Sequence, residues 1–120
     1  MSLISIAIPL ALGLNLAIAE TPKEKWKITA YCSCEICCGK YADGITASGK
    51  SVREGFAANN WLEFGQVIEI KGLGKYIVQD RGSTKYFGAK ASKTKAIDVY
   101  KDSHEAAKQF GVQYREVVIK

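Results

Sequence analysis

The chain is short of the side chain most often used for acid–base work at neutral pH: it holds a single histidine, His104. One imidazole with no evident serine and aspartate partners excludes a Ser/His/Asp triad. It equally excludes the paired histidines of a zincin helix. Its place in the first turn of an expected helix reads as a solvated surface position. No EF-hand loop is present, and Gly72-Leu73-Gly74 is a turn rather than a phosphate-binding loop. Cysteine is absent except at Cys32, Cys34, Cys37 and Cys38, so whatever these four do is local. Charge is absent from residues 3–19, and no repeat or low-complexity tract is visible.

The uncharged stretch is apolar and ends in Ala17-Ile18-Ala19 before Glu20, the small-x-small pattern of a secretory signal cleaved after Ala19. It is shorter than the about 20 apolar residues of a membrane span, and Pro9, Gly13 and Asn15 break it. The expected organisation is a signal segment over residues 1–19, a polar leader over 20–26 and one domain over 27–120. A retained anchor is the alternative, and either way the domain works outside the cytoplasm. A domain of about 100 residues buries one modest core. Its net charge of +5 favours an anionic partner. Export argues against nucleic acid and leaves an anionic wall polymer or a membrane surface.

In an exported protein, four clustered cysteines favour disulfides. Three pairings exist, and the one joining adjacent Cys37 and Cys38 strains the backbone. A zinc site is disfavoured, because its ligands usually come from two separated pairs and no histidine lies nearby in sequence. Cys34-Glu35-Ile36-Cys37 has the C-x-x-C spacing of a thiol redox site, which ranks lower still. The expectation is a disulfide knuckle, with no metal and no cofactor.

Residues 26–31 alternate bulky with smaller or polar side chains, as a half-buried strand does. Further strands are expected at 55–58, 66–71, 76–79, 96–100 and 116–119, separated by glycine-rich turns. Residues 83–94 read as a mobile, basic loop. Asp102, with Glu105 three residues on, is expected to cap a single helix that stops at Gly111. About six short strands with frequent glycines suggest a small closed barrel, which removes exposed edges. Within this pattern Asp98 lies between Ile97 and Val99, so it faces away from the side those two bury. In an apolar-walled cleft such a carboxyl holds its proton and can donate it. Asp80 ends a strand, where a loop presents a second carboxylate.

The ordered blocks Thr29-Ala30-Tyr31, Gly44-Ile45-Thr46-Ala47-Ser48-Gly49, Gly55-Phe56-Ala57-Ala58-Asn59, Gln79-Asp80-Arg81-Gly82 and Ala96-Ile97-Asp98-Val99-Tyr100 resemble the 3D domain family, named for three aspartates. The cysteine run from Tyr31 to Lys40 resembles the start of some members, and the likeness covers about residues 28–119. It implies a mainly β fold: a small six-stranded double-psi β-barrel with one short helix near the C-terminus. It also groups the chain with lytic transglycosylase A, rare lipoprotein A and, more distantly, expansins and family 45 endoglucanases. The implied activity is cleavage of the β-1,4 bond between N-acetylmuramic acid and N-acetylglucosamine. Asp98 is the implied acid and Asp80 its support. Asn59 is expected to orient substrate, Tyr31, Thr46 and Ser48 to line the groove, and Arg81 with the basic loop to contact anionic groups. Peptidoglycan strands are the expected partner of a secreted monomer at the cell wall, in the periplasm or at the outer membrane. Two departures stand out. Asn59 replaces the family's first aspartate, and Arg81-Gly82 follows Asp80 where Thr-Gly is common. A non-catalytic wall-binding barrel is the alternative.

Overall fold

The computed structural model describes residues 24–120; the expected signal segment and most of the leader lie outside them. Six strands close into one mainly β barrel: β1 (Lys25–Tyr31), β2 (Phe56–Ala58), β3 (Val67–Ile70), β4 (Gly74–Asp80), β5 (Ala96–Tyr100) and β6 (Gln113–Ile119). Their order around the barrel is β1-β5-β2-β4-β3-β6, and β6 pairs back onto β1. Two pairs are parallel, β1 with β5 and β2 with β4, and the short β2 joins them by running antiparallel to β5. Closure leaves no free edge, which is how so short a chain satisfies its backbone.

Period-2 alternation selects the core. Ile28, Ile68, Ile70, Val78, Ile97 and Val99 are fully buried, and Trp26, Leu62 and Tyr76 seal the ends of the cluster. Trp26 stacks on Trp61 with ring centroids 5.8 Å apart. The packed domain therefore begins at β1, and Trp26 belongs to it rather than to the leader. Strand β6 also starts earlier than its apolar tail suggests, because Gln113–Glu116 pair with β1 before Val117–Ile119 pair with β3.

Among the described residues, three short α-helices decorate the barrel: α1 (Glu35–Cys38), α2 (Thr84–Phe87) and α3 (His104–Phe110). The expected C-terminal helix is α3, with one correction at its start. Ser103 is its N-cap, accepting from the Ala106 N–H at 3.1 Å, whereas the Asp102 N–H donates to Glu54. Gly111 ends it in a positive-φ conformation that glycine adopts without strain. The 83–94 segment is not a featureless loop. Ser83 caps α2 by accepting from the Lys85 N–H, and a 3-10 turn follows at Lys90–Ser92. Asn60, buried, ties the segment down by donating to the Gly88 carbonyl at 2.7 Å and accepting from the Gly82 N–H at 2.7 Å.

The ring of Phe87 closes over Gly82, where a β-carbon would collide with it. Gly82→Ala is expected to destabilise the fold by about 1–3 kcal/mol through overpacking. Adding Phe87→Ala removes the obstacle, so the double variant should be less destabilised than the sum of the two singles. Additive losses in urea unfolding would show that the ring does not make this contact.

Candidate active site

A cleft of about 690 Å³ opens on the outer face of β5, β2 and β4. Its floor is Ala58, which pairs with Asp98 on one side and with Asp80 on the other. Asp98 is there by plain alternation, since Ile97 and Val99 point into the core. Asp80 is there because the register between β2 and β4 slips between Ala57 and Ala58. Ala57 faces Val78, but Ala58 faces Asp80 and skips Gln79. Such a bulge re-aims the side chains beyond it, and here it turns Asp80 to the face that carries Asp98.

The two carboxyls sit in different surroundings. Asp98 has one short-range donor, the Thr29 hydroxyl at 3.0 Å from its Oδ1. Burial dominates and pushes it up to about 6 against that hydrogen bond, with the Asp80 charge adding to the rise. Asp80 accepts three times: from the Tyr31 hydroxyl at 2.8 Å, and from the Ala47 and Arg81 N–H groups at 2.9 Å each. Burial, reinforced by the Asp80 charge, holds the Tyr31 phenol well above its usual value, so it stays a donor. Tyr31 in turn packs edge-on against Tyr100, ring centroids 5.6 Å apart. The pair thus combines one carboxyl that releases a proton near neutral pH with one acceptor locked in place, a division of labour suited to general acid catalysis.

Of the other expected site residues, Tyr31, Thr46 and Arg81 line the cleft. Ser48 stands behind Thr46, their hydroxyls 2.8 Å apart, and helps hold the turn that carries the Ala47 N–H. Arg81 lays its guanidinium on the Phe64 ring and donates to the Asn59 carbonyl at 2.7 Å, so it braces the wall. Asn59 does not reach the cleft, which corrects its expected substrate role. It is fully buried, donates to the Ala96 carbonyl at 3.0 Å, and accepts from the Trp61 and Leu62 N–H groups at 2.8 and 2.7 Å. Every polar atom of its amide is used in joining β2 to β5 and starting the next turn.

Several cleft residues escape a reading of the sequence alone. Thr29, the partner of Asp98, lies two residues before Tyr31 on the same face of β1, and that spacing was a usable signal. Tyr86 and Phe87, from α2, form the opposite wall together with Cys38 from α1. Nothing local marks them as cleft residues.

The cysteines also depart from expectation. None is bridged. The Cys38 thiol turns away and donates to the Cys32 carbonyl at 3.1 Å. The other three converge on His104, which is half-buried against them and not a solvated surface residue.

The chain matches no protein-family model and no curated protein.

Proposed function

We propose that this protein is a peptidoglycan-acting glycosidase of the 3D family, a lytic transglycosylase of cell-wall turnover that works outside the cytoplasm. The observation that carries the reading is the half-buried Asp98, raised to about 6, beside the floor of an open cleft and next to an anchored Asp80. Asp98 in its protonated form donates to the glycosidic oxygen as the bond to the muramic C1 breaks. The resulting carboxylate then takes the proton of the muramic C6 hydroxyl, whose oxygen bonds to C1. The product is a 1,6-anhydro sugar, no water enters, and Asp98 regains its proton. One residue suffices as acid and base on this route, whereas hydrolysis calls on a second carboxylate as nucleophile or as base on a water. Asp80 is anchored by three donors, two of them on Oδ1, which suits a positioning role rather than either of those. The exposed Tyr86 ring at the rim gives a sugar face an apolar surface to stack on.

The test is digestion of purified sacculi by the full chain, read by mass spectrometry. Soluble muropeptides with anhydro ends are the expected result. Free reducing ends in their place would move the chemistry to hydrolysis. Retention on insoluble peptidoglycan with no soluble product would leave a wall-binding module and end the enzymatic reading.

A further inference from the structure

We infer that Cys32, Cys34, Cys37 and His104 form a zinc site that ties one wall of the cleft together. The inference stands apart from the chemistry proposed for Asp98. The four ligand atoms all lie within 4.8 Å of one another. The His104 Nδ1 is 3.7 Å from the Cys32 sulfur, 3.4 Å from that of Cys34 and 3.5 Å from that of Cys37. Tetrahedral zinc, with bonds of about 2.3 Å to sulfur and about 2.1 Å to nitrogen, sets sulfur and nitrogen ligands about 3.6 Å apart. The same geometry sets two sulfurs about 3.8 Å apart; the Cys32 sulfur is 2.9 Å from that of Cys34 and 3.3 Å from that of Cys37, so the thiols need open by less than about 1 Å to admit the ion.

The histidine decides between metal and disulfide. A disulfide knuckle needs an even set of sulfurs and no imidazole. Here Cys38 is turned out of the cluster towards the Cys32 carbonyl, leaving three sulfurs, and a ring nitrogen arrives from a helix 67 to 72 residues away in sequence. Three thiolates and one neutral imidazole are a closed structural set for zinc, and soft sulfur donors select it over magnesium or calcium. Each cysteine gives up its proton as it ligates.

The position gives the metal a purpose. Cys32 directly follows β1, which carries Thr29 and Tyr31, and His104 opens α3 just beyond β5, which carries Asp98. Cys37 and its neighbour Cys38 line the cleft. One ion therefore pins α1 and α3 to the strands that bear the acid and its partners, a task that a disulfide within residues 32–38 cannot perform.

The full chain, purified with a reductant, should hold one zinc per molecule by elemental analysis. X-ray absorption at the zinc edge should show three sulfur ligands and one nitrogen. Cys34→Ser, Cys37→Ser and His104→Ala should each lose the metal, while Cys38→Ser keeps it. Chelation should lower the Tm by about 10 °C. The inference is overturned by a metal-free chain whose intact mass shows disulfide bonds, or by a four-sulfur or oxygen-rich zinc shell. Zinc kept by His104→Ala, or lost from a folded Cys38→Ser, overturns it too. If a ligand variant fails to fold, cobalt substitution of the wild-type chain decides, since thiolate charge-transfer and strong tetrahedral d–d bands are expected and their absence refutes the site.

Discussion

Asp98→Asn should lower muropeptide release by about 10²- to 10⁴-fold, the usual worth of a positioned general acid, and should at the same time make the protein more stable at pH 7. Both effects come from one carboxyl. Activity is lost because an amide has no proton to give at this position. Stability rises because the amide removes a charge that the fold holds in a half-buried, poorly solvated place. The Thr29 hydroxyl, which donates to Asp98 Oδ1 at 3.0 Å, can donate equally to an amide oxygen.

The sign follows from the two proton affinities. Unfolded, the carboxyl ionises near its ordinary value of about 3.9; folded, it ionises at about 6. Between those values the folded state holds the extra proton, so stability declines as pH rises through that window and stays lower above it. The difference is worth about 2–3 kcal/mol at pH 7. Urea unfolding should therefore show Asp98→Asn gaining on the wild type between about pH 4 and pH 7. The wild-type rate should fall about tenfold per pH unit once the pH exceeds about 6, as the protonated fraction falls. A stable Asp98→Asn that still releases muropeptides at the wild-type rate would remove Asp98 from the mechanism. A variant that loses activity only because it unfolds would contradict the charge-burial argument.

How far the amino-acid order alone reached can be judged at individual residues. Alternation put Asp98 opposite Ile97 and Val99, and the barrel does the same. Alternation, apolar runs and glycine punctuation together located all six strands; the 96–100 strand kept its bounds and the others shifted only at their ends. Asp80 was reached by its place at a strand end, but the reason it faces Asp98 was not legible. That reason is a register slip against Ala58, a property of two strands together. The helix cap shifted by one residue because Asp102 and Ser103 are both good caps, and the Glu54 carboxylate takes the Asp102 N–H. The zinc ligands were missed for a clearer reason. Three of them lie within six residues of one another, but the fourth, His104, meets them only because parallel β1 and β5 end side by side. Sequence distance hid what barrel closure assembles.

Asn59→Asp, which restores the aspartate of the family the sequence resembles, should destabilise this chain by about 3 kcal/mol or more at pH 7, and far less near pH 4. The amide nitrogen of Asn59 donates to the Ala96 carbonyl at 3.0 Å in a fully buried position. A carboxylate there would set an anionic oxygen against a carbonyl oxygen, with no water to separate them. Two N–H groups, from Trp61 and Leu62, would still serve its other oxygen, but they do not relieve the repulsion. The side chain escapes it by keeping its proton and donating as the amide does. Its folded pKa therefore lies above the unfolded one, so the variant approaches wild-type stability as pH falls towards about 4 and loses stability as pH rises. Urea midpoints at pH 4.5 and 7.5 measure the difference. Equal midpoints for variant and wild type at both pH values would mean that the buried Ala96 contact tolerates a charge.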